Sequence, residues 1–292
     1  MKIKYTVGEQ VFHAFVVIIT LLLSLAVIIP LMSIVFASFS DPFEVMKHSG
    51  IYWHPIKPSL YSYQMVLQDK SILTGYMNTL FVVIVGTSLN LILTIIAAYV
   101  LSRKGPMLIK FFTVMIVFTM YFQGGTIPTY LIVDKLHLVG SRWALILPGA
   151  VNTFNLVVLR TAMASVPESL PESAMIDGAG HVTILSKIMV PVSKASIAVI
   201  TLYYAVSHWN SWFPAMIYLR KKSMYPLQLI LRTILVQDET SAMSSGSMAA
   251  LALSSDSVKY ATIVVATLPI LLIYPFLQKY FVKGVMVGAV KG

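Results

Sequence analysis

The side chains able to hold a ligand gather in two places. Asn152 and Asn155 stand close together, and Tyr203, Tyr204, Ser207, His208, Trp209, Asn210 and Trp212 crowd into one short stretch. Rings that stack and amides or phenols that hydrogen-bond are what a sugar needs, because its C–H faces pack on aromatics and its hydroxyls want polar partners. The same residue types have a plainer use, since Tyr and Trp form interfacial belts in membrane proteins and Asn bonds between helices. His208 alone reads best as a structurally satisfied histidine. A third group carries no ligand set but a helix pattern. Ser169 and Glu172 have the spacing of a capping box, Pro171 suits a first turn, and Gly178 and Gly180 supply a stop. The expectation is a short helix of about two turns. Its small residues Ser173, Ala174, Gly178 and Ala179 would let a second protein approach the backbone, with Glu172 and Asp177 as charges at the rim.

Catalytic constellations are missing. The chain has no His-Glu-x-x-His zinc helix, no Gly-x-Ser-x-Gly elbow and no Gly-x-x-x-x-Gly-Lys-Ser/Thr phosphate loop. Its cysteine count is 0, which removes disulfides, thiolate chemistry and Cys-ligated metals. Neither a catalytic nor a metal-ligating residue is assigned, and an enzyme is not expected.

The elements that position these residues follow from composition. Of 292 residues 58% are hydrophobic and only 11% charged, with mean hydropathy +0.83, where a soluble domain carries about 25% charged residues. So few charges cannot cover a soluble fold of this length, and a membrane protein is expected. The net charge of +10 is scattered between apolar runs without forming a stripe, which argues against a nucleic-acid partner. Six apolar stretches approach the roughly 20 residues a spanning helix needs: 12–36, 77–101, 108–127, 143–159, 195–218 and 260–277. Pro148 predicts a kink or a late start in the fourth. The first follows the basic start Met1-Lys2-Ile3-Lys4 but far exceeds the roughly 7 to 15 residues of a signal-peptide core, so it reads as an anchor.

Six spans put both termini on one side. With the termini in the cytoplasm, Lys2, Lys4, Arg103, Lys104, Lys110, Arg160, Lys187, Lys194, Lys279, Lys283 and Lys291 lie inside, about half of the 21 basic residues. The raw count is balanced. The longer outside segments hold more acids, whereas the turn from Arg103 to Lys110 is purely basic, which favours this orientation. Two outside segments are long, 38–76 and 219–259, and both are candidates to meet a soluble partner; a simple connector is the equal alternative for the second, whose 241–257 stretch is rich in Ser, Met and Ala. None of the six spans contains Asp or Glu, and ion-coupled carriers usually keep intramembrane carboxylates. Energy for uphill movement would then come from another chain.

The loop 161–191 carries a resemblance. Glu172-Ser173-Ala174, then Gly178, then Ile188-Met189-Val190-Pro191 resembles, with its spacing intact, the cytoplasmic EAA loop of permease subunits of binding-protein-dependent ABC importers: Glu-Ala-Ala, three residues, Gly, nine residues, Ile-x-Leu-Pro. Ser173 and Val190 depart conservatively from that pattern. Asp177-Gly178-Ala179 is similar to the carbohydrate-importing branch, and the tail from Gln278 to Gly292 resembles MalG-type subunits. His208-Trp209-Asn210-Ser211-Trp212-Phe213-Pro214 with Tyr225-Pro226-Leu227-Gln228-Leu229 is most similar to the LplC-like group.

The resemblance implies an all-α membrane protein of the type I ABC importer permease fold, a single domain over 1–292 with six transmembrane helices and a cytoplasmic EAA coupling helix. It implies a second homologous permease, two ATP-binding subunits that hold ATP and Mg, an extracytoplasmic solute-binding protein and a location in the bacterial inner membrane. Docking to an ATPase subunit would fall to Glu172, Ser173, Ala174, Asp177, Gly178, Ala179, Ile188 and Pro191. The segment 219–259 would reach toward the binding protein, and the tail 284–292 toward the ATPase interface. LplC-like subunits are associated with acidic oligosaccharides of the aldouronate or alginate type. On that basis His208 and Arg220-Lys221-Lys222 are candidate attractive charges, although the cluster reads equally as a membrane-flanking anchor. The competing reading is a stand-alone six-span channel or secondary carrier for a small polar solute.

Overall fold

The computed structural model describes residues 6–103, 108–241 and 256–289. Lys2, Lys4, Lys104, most of the Ser-rich 241–257 stretch and the end of the tail from Val290 lie outside the described residues. The described residues are mostly helical, with no strand among them beyond an isolated bridge between Ser40 and Pro58. The helices are α1 (Val7–Ser38), α2 (Pro42–Lys47), α3 (Tyr61–Gln68), α4 (Lys70–Ser102), α5 (Ile109–Tyr121), α6 (Thr126–Lys135) and α7 (Thr153–Ala164). They continue with α8 (Ser169–Ile176), α9 (His181–Ile184), α10 (Val190–Val192), α11 (Lys194–Trp209), α12 (Trp212–Tyr218), α13 (Leu227–Ser241) and α14 (Asp256–Ala289). The chain divides into two compact units, Met1–Lys70 with Thr233–Leu268, and Ser71–Arg232 with Pro269–Gly292.

In the first unit, Thr6 caps α1 through a capping box with Glu9, whose carboxylate accepts from the Thr6 N–H at 2.7 Å. The most apolar part of α1 has a mean hydropathy of 2.9 and none of it is buried. A helix that is apolar all round and uncovered belongs in lipid. Only its end is enclosed, where Ala37 packs with Val45 and Tyr52. Buried hydroxyls tie the same region together: Ser257 Oγ lies 2.7 Å from Ser62 Oγ and 3.1 Å from the Ser40 carbonyl.

The second unit is organised by α4. Its buried residues include Asn78, Val82, Gly86, Asn90, Thr94 and Ala98, one every fourth position, so a single small and polar face looks inward while Leu, Ile and Phe look out.

Three of the six apolar stretches are broken. The stretch 108–127 is not one helix: α5 ends at Tyr121, the Gly124-Gly125 pair turns the chain with Gly125 at φ +86°, and α6 leaves at 116°. At 143–159 two 3₁₀ turns, the second holding Pro148, precede α7, which begins only at Thr153 and is bent 48° from them. At 195–218 the helix stops at Trp209, and α12 restarts at Trp212 with Pro214 in its first turn. The stretches 12–36, 77–101 and 260–277 each lie inside one continuous helix, α1, α4 and α14. Among the described residues, α1 and α4 are long and apolar enough to cross a membrane unbroken, and three bent pairs pass only as pairs.

Candidate functional site

Two adjoining cavities open in the second unit, one of about 650 Å³ and one of about 610 Å³. They share Thr129, Pro148, Gly149, Asn152, Phe154, Pro214 and Tyr218 and so form one groove. The chain breaks described above make its walls. The Gly124-Gly125 turn, the 3₁₀ turn at Pro148 and the first turn of α12 all line it, because a broken helix leaves backbone and polar side chains facing a cavity where a continuous one would present a closed apolar surface. No Lys, Arg, Asp or Glu is among the described residues lining either cavity.

Asn152, Asn155, Tyr203, Tyr204 and His208 all line the second cavity. Asn152 is the N-cap of α7, its side chain accepting from the Asn155 N–H at 3.1 Å. The Tyr204 hydroxyl accepts from the Asn152 N–H at 3.0 Å and meets Thr94 Oγ1 at 2.7 Å. His208, one turn further along α11, is 6% exposed, and its Nε2 lies 3.1 Å from the Asn90 amide nitrogen. Its ring is thus held by a partner while it also lines the cavity. Tyr203 packs near Phe154, ring centroids 6.1 Å apart.

Trp209, Asn210 and Trp212 line neither cavity. Trp209 follows His208 by a third of a turn and is buried edge-on to Tyr76 at 6.3 Å. Asn210 is exposed past the end of α11 and donates to the Val206 carbonyl at 3.0 Å. Trp212 stacks under the Arg232 guanidinium, 4.2 Å from the ring centroid. The Arg220-Lys221-Lys222 cluster is exposed and outside both cavities.

Reading the sequence by apolar run length missed Asn90, Thr94, Thr129, Phe154 and Tyr218. A signal existed for the first two: the four-residue spacing of small and polar residues along α4 marks its inner face.

The loop 161–191 folds as a capped helix on a rigid base. Helix α8 spans two turns, as expected, but the capping box does not form. Glu168 is the N-cap but its side chain does not cap the first turn, and Ser169 lies inside the helix, where its carbonyl accepts from Ser173 Oγ at 2.8 Å. At the other end Gly178, at φ +82°, bonds the Met175 carbonyl at 3.0 Å, and Ala179 N–H bonds the Ala174 carbonyl at 2.8 Å. This is a Schellman motif, and it needs a residue tolerant of the left-handed region. Ala174 and Ala179 pack on the unit's own core, which includes Leu159, Met163, Ile184 and Met189. The exposed surface comes instead from Glu172, Ser173, Asp177 and Gly178. Ile176 (87% exposed) and Val182 (81%) join it, two apolar residues that the motif alone did not single out. Ile188 sits half-buried in a π turn, Leu185–Met189, that precedes Pro191.

Two arginines fix the base. Arg103 donates to the Met163 carbonyl at 3.1 Å, and Arg160 donates to the Leu101 carbonyl at 3.0 Å. Each cation thereby satisfies a last-turn carbonyl of the other's helix, α7 or α4. Tyr99 adds a hydrogen bond of 3.0 Å between its hydroxyl and Nδ1 of His181.

No family model matches the chain. Curated relatives do. It is 40% identical over 277 residues, 93% of this chain and 95% of the other, to the polygalacturonan/rhamnogalacturonan transport system permease protein YtcP of Bacillus subtilis. It is 37% identical over 265 residues, covering 91% and 90%, to the protein LplC of the same organism. Among solved structures, a chain of a bacterial ABC transporter involved in the import of the acidic polysaccharide alginate superposes with TM-score 0.87 at 30% identity, covering 95% of this chain and 99% of that one. Fold and sequence therefore define a helical membrane protein of the ABC importer permease class. Within that class the chain belongs to the MalG-type, LplC-like family of sugar-importer permeases.

Proposed function

We propose that this chain forms half of the translocation pathway of an ATP-driven oligosaccharide importer in the bacterial inner membrane, its partner half being a second homologous permease. Two ATP-binding subunits, which carry ATP and Mg, engage α8, and an extracytoplasmic binding protein delivers the sugar. Both termini are cytoplasmic, and two of the six spans are the bent helix pairs that begin at Ile109 and Arg142. The chain itself performs no chemistry.

The observation that carries this reading is the form of α8. It is exposed along Glu172, Asp177 and Ile176, closed by a Schellman turn, and seated through Ala174 and Ala179 on a core that reaches α4 and α11. A push on the helix therefore moves packed spans as a body rather than bending a loop. ATP favours one arrangement of the assembly through its differential affinity for the two.

The groove suits a sugar through Phe154, Tyr203 and Tyr218 as stacking faces and Asn152, Asn155 and Thr129 as hydrogen-bonding groups. The names of YtcP and of the alginate transporter support an acidic oligosaccharide. In this half such a substrate would be held by neutral donors and stacking rather than by ion pairs, since charged side chains are absent from the described lining.

Affinity purification of the tagged chain from gently solubilised native membranes tests the proposal. The expected result is recovery of an ATP-binding subunit and a second permease, with the ATP-binding subunit lost in Gly178→Trp. Recovery of the chain alone from a preparation that still transports would overturn it in favour of a stand-alone channel or carrier.

A further inference from the structure

The segment that follows α1 turns large apolar side chains away from the protein. Val45 and Tyr52 point inward and pack with Ala37 at the end of α1. Their neighbours point the other way: on α2 Phe43 is 43% and Met46 49% exposed, and on either side of Tyr52 Ile51 is 50% and Trp53 68% exposed. The alternation is physical, because Val45 and Tyr52 each fix the orientation of the backbone beside them. Lys47 and Lys57, whose side chains are both 72% exposed, stand among these residues.

Depth follows from α1. Its 32 residues extend about 48 Å at about 1.5 Å per residue, against about 30 Å of hydrocarbon and about 40–45 Å including headgroups. With the bare apolar length of α1 in the hydrocarbon, its enclosed end at Ala37 and Ser38 lies at headgroup level, and α2 begins four residues later. An exposed indole beside aliphatic and aromatic side chains and lysines is the composition that settles at the boundary between headgroups and acyl chains. The lysine stems lie along such a surface while their ammonium groups reach water or phosphate.

We infer that the 39–57 segment is a membrane-surface anchor, with Phe43, Met46, Ile51 and Trp53 inserted at the lipid interface on the side where α1 ends. The lipid supplies acyl chain for the apolar side chains, while Lys47 and Lys57, both paired with the Glu44 carboxylate, keep that charged cluster at headgroup level. This occupant is favoured over a soluble protein by direct continuity with the uncovered apolar surface of α1. The anchor fixes the height of that end of α1 and is independent of which solute is carried.

The absence of cysteine makes a site-directed test direct. Met46→Cys, Trp53→Cys, Lys47→Cys and Lys57→Cys are each spin-labelled in the full-length chain, reconstituted in phosphatidylcholine vesicles with the subunits that co-purify with it. Collision with oxygen, which concentrates in lipid, is compared with collision with a water-soluble nickel chelate. The expected oxygen-to-nickel ratio is several-fold higher at 46 and 53 than at 47 and 57. Equal ratios, or positions 46 and 53 reached by neither reagent because a subunit covers them, would overturn the inference. A second measurement covers variants that fold poorly. The emission difference between the unmodified chain and Trp53→Phe should be quenched by phosphatidylcholine brominated near the top of its acyl chains. A difference quenched only by aqueous acrylamide would overturn the assignment.

Discussion

The amide nitrogen of Asn90 lies 3.1 Å from Nε2 of His208, and the ring of that histidine rests on Gly86, where an added Cβ would come within 2.5 Å of Nε2. One turn along each helix the pairing repeats, Thr94 with Tyr204. Helices α4 and α11 thus meet through a ladder of hydrogen bonds beside the groove, made possible by a missing side chain at one rung. A hydrogen-bonded ladder between helices holds one register, because a shift by a residue would leave buried polar groups unpaired.

Gly86→Val should disturb this contact without touching Phe154, Tyr203 or Tyr218. The new side chain must displace a buried ring, and overpacking of this kind costs about 1–3 kcal/mol. Thermal unfolding in detergent should show a lowered midpoint, while Gly8→Val, where nothing lies within 4 Å of an added Cβ, should not. Equal midpoints for Gly86→Val and the unmodified chain would remove the ladder from the account.

Tyr204→Phe removes one oxygen and leaves two groups, the Asn152 N–H and the Thr94 hydroxyl, without their shared partner. Unpaired buried groups cost about 1–3 kcal/mol. The expected outcome is a less stable chain whose α7 start is loosened, read as faster amide hydrogen exchange at Asn152 and Asn155 than elsewhere in α7. Uniform exchange along the helix would contradict it.

Phe154→Ala and Tyr203→Ala test the groove as a sugar path. Loss of one stacking face is worth about 0.5–1.5 kcal/mol, so the KM for uptake in the reconstituted importer should rise severalfold, up to about tenfold. The cavity-remote Asn210→Ala should leave KM unchanged, and a rise in KM there with none for Phe154→Ala would move the path elsewhere.

Gly178→Ala separates backbone strain from bulk at the α8 turn. With φ at +82°, an L-residue costs about 1–2 kcal/mol, yet alanine adds no volume that meets another atom within 4 Å. Partial loss of ATP-driven uptake with the chain still inserted is expected, and Gly178→Asn, whose side chain tolerates this region, should recover more of it than alanine. Equal activity in all three would show that the turn geometry has no role.

A pH effect is expected in the α2 segment. The hydrogen bond from Lys57 holds the Glu44 carboxyl below its ordinary value of 4.5, with the charge of Lys47 adding to it, and the same carboxylate holds the Lys57 ammonium above 10.5. A depressed carboxyl contributes stability above its unfolded value that is lost as pH falls through the folded one, whereas a raised ammonium loses its contribution only as pH climbs past 10.5. The pair's contribution should therefore be flat through neutral pH and be lost in acid, as pH falls below 4.5 and through the lowered folded value. Local hydrogen exchange at 41–57 should differ between the unmodified chain and Lys57→Met at pH 7 and converge in acid. A difference that persists in acid would assign the effect to packing.

How much of this was legible beforehand depends on the kind of interaction. The C-terminal ends of α1 and α4, the late start after Pro148 and the Gly178 stop all rest on local chemistry: run length, proline's missing N–H, glycine's tolerance of positive φ. The loop spacing from Glu172 to Pro191 was readable for the same reason, being short-range. The break at Gly124-Gly125 was visible as residues and overlooked, because a scan for apolar length counts glycine as neutral.

Composition and local pattern by themselves determined that this chain is a helical membrane protein and which loop stands out, and the resemblance of that loop implied the importer class. Only tertiary structure decided which polar residues share a cavity. Asn90 and His208 are far apart in the sequence and meet because α4 turns its small face to α11, while Trp209 and Trp212 fall away from the groove through a fraction of a turn and a break at Ser211. It also decided that Ala174 and Ala179 face inward and that Ile176 and Val182 face out. Burial is a property of what a residue packs against, and that partner is set by helices brought together across the chain rather than by neighbours along it.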